Sequence, residues 1–294
     1  MDTSKQLVVK FGTEVLMGKV WNGKQRLSRQ VFSNAASQIA RLQASNIGMT
    51  VVTSGAIQAG RESILKLENN IIRLESILSK KKELAGIGAR HLLDMWGRGF
   101  ARQNREVAQL WVTFENLSNE GELESIRSSI LNYQNLNIIP IVNENDVVSD
   151  SEIKSMEAGL SENDRLARMI AQLLGADSIL FVTKCGGVYD KNPTEYPDAK
   201  IYSEIDVKTA IEIINNVTIA NASASTSGAG GIVAKLQEAL LCLDAGMRVA
   251  IAGMNEDTIY KFAIGEPQGT MVVKSLSSPS EVINTDSEKT LILE

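Results

Sequence analysis

The stretch Leu7-Val8-Val9-Lys10-Phe11 is an apolar run holding one lysine, and it breaks at Gly12-Thr13. A short apolar run closed by glycine reads as a buried first strand. Downstream, Ser28 stands as the cap of a helix with Val31, Phe32, Ala35, Ile39 and Leu42 on one stripe. Met49-Thr50-Val51-Val52-Thr53 is a second buried strand, ending at Ser54-Gly55. The same buried form returns at 107–112, 138–142, 179–182 and 249–252, separated by helical patterns, notably at 164–174 and 232–244. Strands alternating with helices imply the α/β class, with a mostly parallel central sheet covered on both faces.

In such a sheet the functional loops leave the carboxyl ends of the strands. Gly12-Thr13, Ser54-Gly55, Asn143–Asp146 and Thr183–Gly187 all follow predicted strands, so one edge of the sheet gathers them. The sharpest composition shift is at Ile213–Gly231, which is small, polar and glycine-rich, and Asn143–Asn163 is polar and acidic.

Composition narrows the function classes. The 294 residues fit one large α/β domain or two small ones, and 44% hydrophobic with 22% charged is the balance of a globular enzyme. A net charge of −5, with scattered lysine and arginine, offers no basic surface to nucleic acid. Two cysteines, Cys185 and Cys242, cannot build a disulfide framework or a four-ligand zinc site, and His91 is the only histidine. The start runs directly into a strand pattern, without a charged and then apolar leader, and no apolar run approaches the roughly 18 residues of a membrane span. A cytoplasmic protein with no membrane partner is expected.

Four segments carry candidate chemistry. Lys10 ends its strand beside Gly12, where it can neutralise a transferring phosphoryl group or simply reach solvent. Ser54-Gly55 opens a helical pattern, which makes either an anion site or a plain serine cap. Asn143-Glu144-Asn145-Asp146 ends a buried strand in four polar residues, suited to an ammonium- and hydroxyl-bearing substrate or to an Asx turn. Asn163-Asp164 opens a helix, where the carboxylate caps it, orients lysines, or holds magnesium through water. A further segment, Ser227-Gly228-Ala229-Gly230-Gly231 with Lys235 one turn later, can aim backbone N–H groups and an ammonium at phosphates. It is not a P-loop, and no protein-kinase signature occurs.

Taken together the segments VVKFGTEVL from Val8, VVTSGAIQAGRE from Val51, PIVNENDVV from Pro140, SENDRLA from Ser161, VTKCGGVYDKNP from Val182 and GAGGIVAKLQEA from Gly228 resemble the glutamate 5-kinases of the amino-acid kinase superfamily. Their order and spacing match over residues 6 to 255. The resemblance implies a three-layer α/β/α sandwich. Because the chain ends about forty residues past the last matching segment, a single domain over 1–294 without an additional C-terminal PUA domain is expected. The resemblance implies ATP-dependent phosphorylation of the γ-carboxylate of glutamate, with ATP and Mg²⁺ as cofactors and homo-oligomers as the assembly. Lys10, Lys235 and Asp164 take the catalytic roles, the aspartate organising the lysines. Ser54, Gly55, Asp146 and Asn163 bind the amino acid; Lys10, Gly12, Thr183, Lys184, Ala229, Gly230, Gly231 and Lys235 contact the nucleotide; no residue is assigned to a metal. Neither lysine is expected to pack in the core. A carboxylate acceptor is already ionised at pH 7, so the lack of histidine is no obstacle.

The chain departs from the family pattern at several points. Lys184 stands where aspartate is usual, Ser161-Glu162 replace glycine-aspartate, and Thr226 and Ala229 replace a glycine and a threonine. About five residues near Ser155–Gly159 are extra, and of a leucine-asparagine-alanine-arginine segment only Arg127 remains. These changes leave two alternatives: a kinase of a different amino or carboxylic acid, or a binding protein that has lost turnover.

Overall fold

The computed structural model describes residues 5–18, 26–43, 45–65, 80–149, 162–223, 230–275 and 282–283. Its core is an eight-stranded sheet in the order β3-β4-β2-β1-β5-β8-β9-β7, where β1 is Lys5–Phe11, β2 Ile47–Thr53, β3 Val107–Val112, β4 Ile139–Glu144, β5 Ser178–Val182, β7 Glu204–Asp206, β8 Arg248–Ala252 and β9 Thr270–Val273. All neighbours are parallel except β8 and β9. The short strands β6 (Ile201–Tyr202) and β10 (Val282–Ile283) pair separately.

Strand parity assigns each side chain to a layer, because successive residues point to opposite faces. Leu7, Val9 and Phe11 of β1 pack with Met49 and Val51 of β2 against one set of helices. That set comprises α2 (Arg29–Gln43), α3 (Ala56–Ile64), α4 (Lys81–Ala101) and α10 (Thr258–Ala263). Val8 and Val52 face the other way, onto α6 (Glu120–Asn135), α7 (Glu162–Leu174), α8 (Val207–Ser223) and α9 (Gly230–Asp244). The remaining described helices, α1 (Thr13–Leu16) and α5 (Phe114–Ser118), are short turns after β1 and β3. This is the expected three-layer α/β/α sandwich. Lys10 has the parity of Val8, so it lies on the α7 and α9 side.

Ser28 caps α2 as read from the sequence, its Oγ accepting from Val31 N–H at 3.5 Å. The strand at 107–112 differs from expectation. It is read as buried, but β3 is the sheet's edge, half-buried over Val107–Leu110, with Trp111 52% exposed and only Val112 buried. The small, polar stretch from Ile213 is helical as far as Ser223, at the end of α8.

Helix α4 packs against α3, whose amino end enters the future site. Gly60 and Gly88 let α3 and α4 meet backbone to backbone, and a Cβ at Gly88 would overlap the Ala56 carbonyl oxygen. Further along, Trp96 is fully buried with its ring 5.1 Å from Phe11 and 4.7 Å from Phe32, both edge-on. Such pairs add about 0.5–1.5 kcal/mol beyond their area burial. The amino end of α3, where Ser54-Gly55 sits, is therefore fixed by the rigid core beneath it.

Candidate active site

The site begins at the end of the central strand. Lys10 is 2% exposed, among the largest fully buried side chains of the protein. This corrects the expectation that neither lysine packs in the core. An isolated buried ammonium is prohibitive, so a partner must be built in. Asp164, wholly buried in the first turn of α7, supplies it: its Oδ1 lies 2.7 Å from Lys10 Nζ. Its other oxygen, Oδ2, accepts from Lys235 Nζ of α9 at 3.0 Å. One carboxylate thus holds two ammonium groups, one on each oxygen. The Lys235 ammonium also lies 3.5 Å from the Gly231 carbonyl oxygen one turn back. At the start of α7 the carboxylate gains further from the helix dipole.

Sheet order lays out the remaining candidates around this centre. A Cβ on Gly12 would stand 3.8 Å from Lys10 Nζ, so the glycine leaves the ammonium approachable from that side. On the β2 side, Ser54 N–H donates to the Phe11 carbonyl at 3.1 Å, which seats Ser54-Gly55 beside Lys10-Phe11-Gly12. Beyond it, β4 ends in Asn143 and Glu144, followed by a turn in which Val148 and Ser149 N–H both donate to the Asn145 carbonyl. Asn143, Glu144, Asp146 and Asn163 are all buried. The Oδ1 atoms of Asn143 and Asn163 have no hydrogen-bond partner among the described residues. Buried polar atoms left without partners are rare in folded proteins, so these call for a polar ligand. Ser149 Oγ donates to Glu144 Oε1 at 2.6 Å.

On the β5 side, Val182 is the partner of Phe11 in register, so Thr183 lies beside Gly12. Thr183 N–H donates to the Ala252 carbonyl at 2.8 Å, and Lys184 is exposed at the rim. Gly230 and Gly231 open α9, while Ala229 and the segment Ser155–Gly159 lie outside the described residues. The crevice runs across β1 and β5, where the chain order reverses: β1 leads to β2 on one side, and β5 follows on the other. That reversal is where open α/β sheets bind ligands.

The structure brings Lys10, Asp164 and Lys235 into direct contact and sets Asn163 next to them. Ser54, Gly55 and Asp146 fall on one flank, and Thr183 and Lys184 on the other. Sequence reading left Asn143 and Glu144 without individual roles and gave no functional role to Thr53 or Trp96. For the first pair the signal was available, since they are polar residues ending an otherwise apolar buried strand. For the second pair none was, because their contact joins residues 43 apart.

Two ammonium groups clamped on one carboxylate, between the Ser54-Gly55 turn and the β5 half of the crevice, suit a small-molecule kinase. Residues 5–253 match the amino acid kinase family, and the chain belongs to that family. It is 35% identical over 276 residues to the glutamate 5-kinase of Dehalococcoides mccartyi, an alignment spanning 94% of this chain and 70% of that protein. Among solved structures, an isopentenyl phosphate kinase overlays with a TM-score of 0.59 at 17% identity, covering 91% of this chain and all of that one. A UMP kinase from Bacillus anthracis gives 0.56 at 15%, covering 95% and 99%. The two structures establish the shared fold, and the glutamate 5-kinase relative carries the likeness in sequence.

Proposed function

We propose that this chain transfers the γ-phosphoryl group of ATP to the γ-carboxylate of L-glutamate, the first step of proline biosynthesis, in the cytoplasm. The observation that carries this reading is the Lys10–Asp164–Lys235 centre at the end of the central strand, flanked on the β4 side by the acid- and amide-bearing turn Asn143–Asp146. The glutamate 5-kinase relative supplies the identity of the acid. One sheet contributes to both halves of the crevice, which supports a single catalytic domain.

In the proposed reaction a γ-carboxylate oxygen attacks the γ-phosphorus. The new bond is C–O–P, the bond from phosphorus to the bridging oxygen breaks, and ADP leaves with that electron pair. The acceptor is already ionised, so no side chain removes a proton. What remains is positioning and charge neutralisation. Lys10 and Lys235 face the phosphoryl oxygens, and Asp164 holds both in place. Ser54 and Gly55 receive the acceptor carboxylate at the start of α3, while Asp146 and Asn163 bind the other end of the amino acid. Gly12, Thr183, Lys184 and the Gly230–Lys235 segment line the nucleotide side.

Among the described residues no cluster of three His, Cys, Asp or Glu side chains stands ready to hold a metal, and both Asp164 oxygens are ion-paired. Mg²⁺ would enter on the nucleotide, because that ion keeps several waters and binds largely through substrate phosphates. When bound it adds positive charge on the phosphates.

Purified protein incubated with ATP, Mg²⁺, L-glutamate and hydroxylamine should yield the glutamyl hydroxamate, the trapped form of the acyl phosphate. Absence of hydroxamate with glutamate, beside product from another acid in a panel, would transfer the proposal to that acid.

The charge of Asp146 gives a second test. A carboxylate 6% exposed is placed to pair with the substrate ammonium away from bulk water, where lower dielectric strengthens the attraction. Asp146→Asn should raise KM for the amino acid about tenfold or more, with a smaller change in kcat, the mark of lost ground-state binding. A KM unchanged while kcat collapses would remove Asp146 from the ammonium subsite.

A further inference from the structure

The turn assigned to the acceptor acid has its backbone set from outside the site. Trp96 Nε1 is 3.1 Å from Thr53 Oγ1, and Thr53 Oγ1 is 3.1 Å from the Ser54 carbonyl oxygen. Trp96 and Thr53 are 0% and 1% exposed. The chemistry of the groups fixes the direction of both bonds. An indole N–H can only donate, so the threonine oxygen accepts there, and its single proton is left to donate to Ser54. The chain of donors therefore runs from Trp96 through Thr53 to the Ser54 carbonyl.

That carbonyl belongs to the peptide joining Ser54 to Gly55. In a trans peptide C=O and N–H point in opposite directions. Drawing the Ser54 oxygen toward Thr53 turns the Gly55 N–H the other way, and among the described residues no backbone acceptor takes it. The peptides on either side are held by other bonds: Ser54 N–H donates to Phe11, and the Gly55 carbonyl accepts from Ala59 N–H at 2.9 Å. Only the peptide between them depends on Thr53. Gly55 sits at φ 110°, and glycine tolerates either sign of φ at little cost, so the residue itself does not choose between the two orientations of that peptide. The hydroxyl makes the choice.

We infer that Trp96 and Thr53 are positioning residues for the acceptor acid: together they lock the Ser54–Gly55 peptide with the Gly55 N–H presented to the substrate carboxylate. Neither residue touches the substrate. Both act through the backbone of the turn, and α4 extends the active site to a tryptophan on the far side of β2. The inference rests on Ser54-Gly55 being the acid subsite, and not on which acid is bound.

The test uses Thr53→Val, which keeps shape and β-branching but removes the hydroxyl, with Thr53→Ser restoring it. The acid is whichever one the wild type turns over best in a panel, so failure of glutamate as substrate bears only on the proposed reaction. In Thr53→Val, KM for the acid should rise about tenfold, the worth of roughly one hydrogen bond, while KM for ATP and kcat stay within about twofold. Thr53→Ser should return KM to the wild-type value. Trp96→Phe retains an aromatic ring and should move KM in the same direction by about threefold, which carries the test should Thr53→Val not fold. An unchanged KM for the acid in the variant that folds, or equal rises for acid and ATP, overturns the inference. A crystal structure of the same variant gives a readout independent of turnover. A reversed or mixed Ser54–Gly55 peptide supports the inference, and a peptide held as in the wild type overturns it.

Discussion

Lys235→Ala should lower kcat by about 10²–10³, the usual loss when one preorganised electrostatic contact to a developing charge is removed, with little change in melting temperature. Lys235 is the outer of the two ammonium groups, its side chain 13% exposed against 3% for Lys10. When it is removed, Asp164 keeps its 2.7 Å contact with Lys10, and the buried charge stays compensated. Lys10→Ala is a different experiment. It should cost a similar factor in rate and also destabilise the fold by up to about 3–5 kcal/mol, because it strips a fully buried partner from a fully buried carboxylate. Circular dichroism melts alongside a coupled ADP-release assay separate the two variants. Near-normal kcat in Lys235→Ala would remove it from the phosphoryl site. A large loss of stability in that variant would make Lys235 a structural lysine.

The contrast between the lysines marks the boundary of what sequence could supply. Periodicity located β1, β2, β4, β5 and β8, since each is a short apolar run ending in glycine or polar residues. It therefore located the part of the crevice built from Gly12, Ser54-Gly55, Asn143–Asp146 and Thr183, which leave those strand ends. It could not show that Lys10 is interior, because its parity acquires meaning only when α7 and α9 fold over the β1 face. Asp164 and Lys235 come from distant segments, and their meeting is a property of the layer order. Edge position was equally hidden: the run at 107–112 has the composition of an inner strand, and only the sheet order exposes Trp111.

Helix α4 shows a further limit. Gly86, Gly88, Gly97 and Gly99 lie along it, and each lowers intrinsic helix propensity by about 1 kcal/mol relative to alanine. A reading from local preference passes over such a segment. Tertiary packing reverses the preference, since Gly88 is where the Ala56 carbonyl must pass and Gly99 is where the Phe32 backbone approaches. Two of the residues that hide the helix in the sequence also dock it, Gly88 against the start of α3 and Gly99 against α2.

Asp164→Asn should be the most damaging conservative change in the protein, with kcat reduced at least as far as in Lys235→Ala, about 10²-fold or more, and a lowered melting temperature. The replacement is nearly isosteric, so its effect comes from charge and from donor count. A carboxylate offers an acceptor to each lysine, Oδ1 to Lys10 and Oδ2 to Lys235. An asparagine turns one of those acceptors into an NH₂ donor, so at one lysine a donor meets a donor. The carboxylate that the two ammonium groups share is then gone, in a site where Lys10 is almost wholly buried. If Asp164 works only by holding the lysines, its loss and that of Lys235 share one pathway. Asp164→Asn made in the Lys235→Ala background should then cost clearly less in kcat than in the wild type, an interaction of the size expected for groups in one network. Losses in kcat that simply multiply would show that Asp164 acts on the reaction independently of Lys235, and the role given to it here would fail.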